Sequence, residues 1–307
     1  MNDVLLLGPQ RRPTLADAVA DLGLDGPIAT VNAGWQEREP DDRELDELLG
    51  ERSVNLRLYA RWADALRDDD ELAQADRARR DRIDELQALY LRRLHHAMEG
   101  ISALRHHAAR DPGLRDAEMA DAVEEIRRLD ARHLDRIDEV EADFAQQLRL
   151  SERPVVAEHR AAVARLVGGT EAVAIAGGHV AVLLHCLRLF GLTGVLGERP
   201  VIAWSAGAMA ISERVVLYHD LAVHSPGHAE VHARGLGLCR GVVPLPHARR
   251  RLRIDDHERM ALLARRFAPA RCVVLDDGAR LSCPDGATGA TDLPTVGLDG
   301  HLHAEAS

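Results

Sequence analysis

A serine stands between two contrasting stretches in the second half of the chain. Residues 201–212 read VIAWSAGAMAIS, a run of strand formers, then Ser205, then small helix formers. Small residues flank the serine at Ala203, Ala206 and Gly207. This pattern predicts a nucleophile elbow, where a tight strand-to-helix turn exposes the hydroxyl and the helix N-terminus offers N–H groups to an oxyanion. The bland interpretation is a packed turn in an alanine-rich protein.

A nucleophilic serine needs a general base, and His247 is the best placed of the 16 histidines. It ends the run VVPLPH, so a loop after a buried strand would present it at the active edge of a sheet. Asp220 or, less well placed, Glu213 would orient the imidazole. The run HAEVH (228–232) has the i,i+4 spacing of metal ligands without the glutamate placement of known zinc motifs. We therefore expect no metal there.

The composition excludes several classes of function. A net charge of −11 lacks the basic excess that nucleic acid requires, so we expect no such partner. The chain has no lysine, which excludes Schiff-base lysine chemistry and a Walker A loop. We expect no cofactor. The four cysteines show no C-x-x-C spacing, and the chain shows neither a signal peptide nor a membrane span, so we expect reduced thiols in a cytoplasmic protein.

Hydrophobic patterning divides the chain into an α/β body and an inserted helical region. Residues 1–40 and 169–307 alternate strand-like and helix-like runs. They predict an α/β fold with a mostly parallel sheet, helices on both faces and a terminal antiparallel addition. The runs CVVLDDGARLSC and VGLDGHLHA each predict a pair of strands joined by an Asp-Gly turn. Residues 41–168 carry apolar side chains at helical spacing, interrupted at Asp111-Pro112-Gly113, and predict a long antiparallel helical hairpin.

The predicted hairpin has a functional and a structural interpretation. A long two-helix arm with a second apolar stripe can bury that stripe only against something else, which predicts a homodimer or other homo-oligomer formed through the arm. The alternative is a solvated hairpin held by one ordinary apolar seam.

Four blocks of sequence carry a resemblance to a known family. In order they read AGGHVAVLLHCL, WSAGAMAIS, GLGLCRGVVPLPH and CVVLDDGARL, across roughly residues 171–285. They resemble the peptidase E and cyanophycinase family of serine peptidases, which has a class I glutamine amidotransferase-like fold. The resemblance implies Ser205 as nucleophile, His247 as general base and Asp220 as orienting acid. It also implies an oxyanion hole formed by backbone N–H groups of Gly178 and Ala206.

The chain departs from the family pattern beside these residues. His179 stands where the family usually has Asn or Asp, Trp204 replaces a small or hydroxyl residue before the serine, and Ala203 replaces a glycine. The family's preference for an acidic residue beside the cleaved bond implies a cationic subsite, for which Arg214 is a candidate. We therefore expect His179, Trp204 and Arg214 to contact the substrate.

Two hypotheses for function follow. The first is a serine hydrolase that cleaves a small peptide or amide through an acyl-enzyme on Ser205. The second is an inactive scaffold of the same fold, whose helical arm binds a partner. A glutaminase-type amidotransferase is disfavoured because that chemistry uses a cysteine at the elbow, where this chain has Ser205.

Overall fold

The computed structural model of the chain describes residues 3–10, 14–221, 227–289 and 291–304. The strands are β1 (Val4–Leu7), β2 (Ile28–Val31), β3 (Ser53–Asn55), β4 (Ala172–Ile175), β5 (Val201–Trp204), β6 (Arg214–Leu217), β7 (Glu230–Arg234), β8 (Val242–Pro246), β9 (Arg271–Leu275), β10 (Arg280–Cys283), β11 (Thr295–Val296) and β12 (Leu302–His303). The helices are α1 (Leu15–Asp21), α2 (Arg43–Leu48), α3 (Leu58–Asp68), α4 (Asp70–His106), α5 (Pro112–Gln147), α6 (Pro154–Gly168), α7 (Val180–Leu189), α8 (Leu192–Val195), α9 (Ala206–Ile211), α10 (Ala248–Arg251) and α11 (His257–Phe267).

The central sheet has the strand order β10-β1-β5-β4-β2-β3. All neighbours from β1 to β3 are parallel, and β10 is antiparallel at the edge. Strands β2, β4 and β5 are buried along their length, as expected for Val- and Ala-rich strands covered on both faces. Helices α1 and α2 pack on one face, while α3, α6, α7 and α9 pack on the other. The predicted α/β fold, with a mostly parallel sheet between helices, is confirmed.

A second, four-stranded sheet has the order β12-β11-β9-β8. Strands β8 and β9 are parallel, and the predicted Asp-Gly hairpin between β11 and β12 is present. The other predicted hairpin, in CVVLDDGARLSC, is wrong, because β10 pairs with β1 and not with β9. The turn at Asp276–Gly278 therefore carries the chain from the second sheet into the first, and it joins the two sheets near the ends of β8 and β9.

The helices α4 and α5 form the predicted antiparallel hairpin. Helix α4 has 37 residues, which at 1.5 Å per residue is a length of roughly 55 Å. Pro112 begins α5, and the carboxylate of the N-cap residue Asp111 accepts the N–H of Gly113 at 2.9 Å. The Asp-Pro-Gly triplet thus ends one helix and starts the next, as its residue types predict.

The body of the same chain covers the apolar stripe of the hairpin. Leu94 and Ile101 of α4 and Leu134 of α5 share one cluster with residues of β7, β8, β9 and α11. The physical argument for an unpaired stripe, and hence for an oligomerisation arm, therefore does not hold. Self-association stays a prediction.

The boundaries predicted for the insertion also differ from the structure. Strand β3 and helix α6 lie within residues 41–168, yet β3 pairs with β2 in the central sheet and α6 packs on its face. Strand β3 has three residues, too few for its periodicity to stand out between helical patterns. The long helical hairpin itself comprises α4 and α5.

A buried polar cluster fastens the hairpin to the body. The Arg266 guanidinium of α11 forms a bidentate ion pair with the Asp130 carboxylate of α5 at 2.7 Å and donates to the Tyr90 hydroxyl of α4 at 2.8 Å. It also donates to the carbonyl of Ala229, just before β7, at 2.6 Å. These side chains are almost fully buried. Each polar atom in the cluster depends on its partners, because water does not reach it.

The structure corrects one expectation about the cysteines. Cys239 and Cys283 form a disulfide, which links the segment before β8 to the end of β10, while Cys186 and Cys272 are free and buried. The expectation of four reduced thiols is therefore wrong, and the cysteines no longer argue for a cytoplasmic location. None of the helices in the described residues combines the length and hydropathy that a bilayer crossing needs.

Replacing Arg266 with methionine tests the importance of the buried cluster. We expect Arg266→Met to lower the free energy of unfolding by about 3–5 kcal/mol, because it leaves the Asp130 carboxylate buried without its partner. Denaturant unfolding followed by circular dichroism measures this change. The double variant Arg266→Met/Asp130→Leu should recover part of the loss, and the exposed neighbour variant Arg265→Met should cost less than about 1 kcal/mol. Equal losses at positions 265 and 266 would contradict the assignment.

Candidate active site

Ser205 occupies a strained turn between β5 and α9. Its backbone angles are φ 53° and ψ −121°, in a region that residues with a side chain rarely adopt. Its neighbours leave room for this geometry. A Cβ on Gly177 would lie 2.9 Å from the Ser205 Cβ, and a Cβ on Gly207 would lie 2.4 Å from the carbonyl oxygen of Ile175. The predicted elbow is therefore present, and two glycines make it sterically possible.

His247 lies directly after β8 and faces the serine. Its own backbone is left-handed, with φ 59° and ψ 30°, and its N–H donates to the Leu275 carbonyl at the end of β9 at 3.3 Å. The Ser205 Oγ and the His247 Nε2 are 3.1 Å apart, which is hydrogen-bonding distance. Both residues are half-buried, so the pair is open to a ligand on one side. The structure thus brings together two residues that lie 42 positions apart.

Two backbone N–H groups, those of Ala206 and Gly178, are the candidates for the predicted oxyanion hole. Ala206 begins α9 and Gly178 follows the turn after β4. In the described residues, neither N–H donates a hydrogen bond to another protein group. The Gly177 position lies so near that a Cβ there would be 3.2 Å from the Ser205 Oγ and 3.3 Å from the Ala206 nitrogen. Free N–H groups at this place are what an oxyanion needs.

The environment of His247 favours the neutral imidazole. Burial lowers the pKa of His247 from its ordinary value, the nearby Arg251 guanidinium lowers it further, and the Asp277 carboxylate acts in the opposite direction. A neutral imidazole with a free Nε2 lone pair is the form that accepts the proton of a serine hydroxyl.

The predicted orienting acid does not lie beside the histidine. Both carboxylate oxygens of Asp220 are paired with Arg259, at 2.6 and 2.7 Å, and one also accepts the N–H of Arg253 at 3.3 Å. This buried ion pair fixes the segment after β6 against α11, and it leaves Asp220 no role on His247. Glu213, the alternative, accepts the N–H of Gly241 at 2.9 Å and is likewise occupied elsewhere.

Two acids that sequence reasoning left out follow β9, the strand next to β8. The Asp276 carboxylate accepts the N–H of Arg249 at 3.3 Å and so holds the start of α10, directly after His247. Asp277 is exposed, and its charge acts on the His247 imidazole. A signal for both was available, because the carboxyl ends of neighbouring parallel strands lie at one edge of a sheet. The run Asp276-Asp277-Gly278 has the residue types of a hairpin turn, and this pattern obscures the position of the two acids at the end of a strand.

The three predicted substrate-binding residues differ in their exposure and in their position relative to Ser205. His179 is exposed and caps α7, one residue after Gly178, so it lies beside the elbow. Trp204 is 7% exposed and packs in the core between the central sheet and α1, away from any open surface. Arg214 begins β6 and its charge acts on Cys272, near the start of β9, whereas the site lies at the end of β9. The burial of Trp204 argues against its expected contact with the substrate, whereas contact of Arg214 with the substrate stays a prediction.

The part of the chain that contains this site resembles known proteins. A model of peptidase family S51 matches residues 133–288, just over half of the chain, and this range contains Ser205 and His247. No curated protein matches the chain. Among solved structures, the chain is similar to the crystal structure of a peptidase from an acI-B1 Actinobacterium. The identity is 14%, over 97% of this chain and 88% of that one, with a TM-score of 0.38. That likeness is too low to carry an argument.

The rate at which Ser205 reacts in acidic solution should depend on Asp277 and Arg251, whose charges act on the His247 imidazole. We expect the rate of fluorophosphonate labelling to fall to half its plateau below about pH 6.5, the usual imidazole value, because a lowered pKa keeps His247 neutral in more strongly acidic solution. Asp277→Asn should move this midpoint to lower pH, and Arg251→Gln should move it to higher pH.

The control for these shifts is Arg250→Gln, an exposed neighbour that does not act on His247. It should leave the midpoint unchanged. A midpoint above that of an ordinary imidazole, or shifts of the same sign in Asp277→Asn and Arg251→Gln, would contradict this account of the site.

Proposed function

Because the chain belongs to peptidase family S51, a family of serine peptidases, we propose that it hydrolyses a small peptide or amide through an acyl-enzyme on Ser205. The observation that carries the proposal is the 3.1 Å approach of the Ser205 Oγ to the His247 Nε2, on an elbow with positive φ. Family membership supplies the reaction class. The geometry supplies the residues that would perform it.

The first half of the reaction forms the acyl-enzyme. His247 Nε2 takes the hydroxyl proton as the Ser205 Oγ attacks the substrate carbonyl carbon, and the carbonyl electron pair moves onto oxygen. The N–H groups of Gly178 and Ala206 then donate to this oxyanion. A single donor of this kind typically contributes about 3 kcal/mol to transition-state stabilisation. The imidazolium returns its proton to the leaving amine as the carbon–nitrogen bond breaks, which leaves an ester on Ser205.

The second half releases the acyl group. His247 takes a proton from water as the water oxygen attacks the ester carbonyl, and the same two N–H groups receive the new oxyanion. The carbon–oxygen bond to Ser205 then breaks, and the imidazolium returns the proton to the Oγ. The products are a carboxylic acid and the free serine.

Asp277 is the carboxylate that we assign to the role first expected for Asp220. Its negative charge acts on His247 and favours the imidazolium that forms in both halves of the reaction. Asp276 acts indirectly, since it fixes the backbone of Arg249 two residues after the histidine. Arg251 is a cation whose charge acts on the His247 imidazole. An acidic group on the substrate, beside the cleaved bond, would be attracted to Arg251.

Hydrolysis of a mixture of dipeptides and peptide amides, with acidic and neutral N-terminal residues, tests the proposal. Mass spectrometry should detect product from the wild-type protein. Ser205→Ala and His247→Ala should each lower the rate by about a thousandfold or more, because the nucleophile and its base act as a unit. Ser151→Ala, at an exposed serine outside the site, is the matched control and should retain the full rate.

The inactive-scaffold hypothesis makes the opposite prediction. A wild-type protein that neither hydrolyses any member of the mixture nor reacts with a fluorophosphonate would support the scaffold. Hydrolysis that survives Ser205→Ala would instead place the chemistry at another residue.

A further inference from the structure

Gly178, whose N–H is one of the two candidate oxyanion donors, lies in a closely packed segment of glycines. A Cβ on Gly177 would lie 2.9 Å from the Ser205 Cβ, and a Cβ on Gly178 would lie 2.3 Å from the carbonyl oxygen of Gly34. Gly178 has φ 117°, which residues with a side chain rarely adopt. Its N–H donates no hydrogen bond to the described residues. The direction of this N–H is therefore set by the residues on either side of it.

His179 anchors the chain directly after Gly178. Its N–H donates to the Gly34 carbonyl at 2.7 Å, and its carbonyl accepts the Leu183 N–H at 3.0 Å in the first turn of α7. The ring adds another hydrogen bond, because its Nδ1 accepts the Val182 N–H at 3.3 Å and so caps the helix. The backbone and the side chain of His179 thus together fix the position at which α7 begins.

A histidine cap depends on protonation, unlike the asparagine that the family often has at this position. The Nδ1 accepts the Val182 N–H through its lone pair, so the capping ring carries its proton on Nε2. In the imidazolium both ring nitrogens are donors, and two N–H groups would face each other. A cation at a helix N-terminus is also unfavourable. Protonation of His179 therefore breaks the cap, whereas an asparagine oxygen accepts in acid as well.

The elements around His179 carry charged groups of both signs. The charge of His179 acts on the His232 imidazole of β7. Glu37, in the turn after β2, accepts the Tyr59 hydroxyl of α3 at 2.6 Å. The other charged or titratable side chains that line a cavity together with His179 are Arg79, Arg80 and Asp84 of α4, Glu141 of α5, and His185 and Arg188 of α7. Because a variant at position 179 keeps every one of these groups, its difference from the wild type reports the proton on His179.

We propose that His179 is a positioning residue for the reaction at Ser205, and that it holds the Gly178 N–H in place only while its imidazole is neutral. The inference rests on the proposed function, because it assumes that this N–H receives the oxyanion. Acid then slows the reaction at two places. It removes the general base at His247, and at His179 it releases one donor of the oxyanion hole.

The pH dependence of fluorophosphonate labelling tests the proposal in the wild type, His179→Asn and His179→Ala. Rates are measured from about pH 8 to pH 5, where imidazoles change their charge, and each is divided by the same protein's rate at the upper end of this range. In acid, His179→Asn should retain about fivefold more of its rate than the wild type, the size expected for one N-cap hydrogen bond. His179→Ala has no acceptor to lose, so its divided rates should follow those of His179→Asn, although its undivided rates are severalfold lower.

Control variants separate His179 from other ionisations. His107→Asn, at an exposed histidine after α4, should follow the wild type. Asp277→Asn acts through His247, so it should change the divided rates of the wild type and His179→Asn by the same factor. Circular dichroism defines the pH range in which the proteins stay folded, and the rates are compared within it. Coincident curves for the wild type and His179→Asn would overturn the proposal, as would an extra loss in His179→Ala equal to that of the wild type.

Nuclear magnetic resonance of protein with isotopically labelled valine tests the cap without any reaction. The amide resonance of Val182 should move as the pH falls in the wild type, and should move much less in His179→Asn. A Val182 amide with the same response to pH in both proteins would overturn the proposal.

These measurements also separate the positioning role from the proposed function. A Val182 amide that responds to His179, beside a Ser205 that does not react, would remove the hydrolase and with it the positioning role. Reaction at Ser205 with coincident pH curves would retain the hydrolase and remove the role of His179 alone.

Discussion

The backbone of Ser205 is the constraint on which the site depends. A residue with a side chain at φ 53° and ψ −121° costs on the order of 1–3 kcal/mol, and the surrounding fold must hold it there. Buried β5 fixes the chain before the serine, and α9 fixes it afterwards. Gly177 and Gly207 allow the neighbouring backbone to approach where a Cβ would collide. The turn points the hydroxyl toward His247 and leaves the Ala206 N–H free beside it, so one local geometry provides the nucleophile and part of its oxyanion site.

The second sheet places the general base beside that turn, and the helical hairpin packs against the same sheet. His247 follows β8, and its N–H donates to the Leu275 carbonyl of β9. The general base therefore belongs to the second sheet, whereas the nucleophile follows a strand of the central sheet. The Arg266 cluster fastens α4 and α5 to the body. Because that cluster is buried, it holds the hairpin in a fixed position against the body.

Sequence reasoning found the parts of this protein that local pattern determines. The elbow, the histidine after VVPLP, the parallel sheet and the helical hairpin all follow from periodicity, turn residues and motif order. It did not find what pairing across the fold determines. Asp220 follows Ser205 at the spacing expected of an orienting acid, but both of its carboxylate oxygens accept hydrogen bonds from Arg259. Strand β3 is too short for its pattern to show, and the disulfide joins cysteines 44 residues apart. Trp204 directly precedes the serine, which favours a place in the site, but its side chain enters the core beside α1.

The central claim is that Ser205 is a nucleophile activated by His247. Mass spectrometry of peptides from protein treated with a fluorophosphonate tests it most directly, because it identifies the modified atom's residue. The account predicts one phosphonyl group, on the peptide that contains Ser205, and loss of that modification in His247→Ala. An unmodified Ser205, or modification of Ser205 no faster than that of the exposed Ser151, would contradict it.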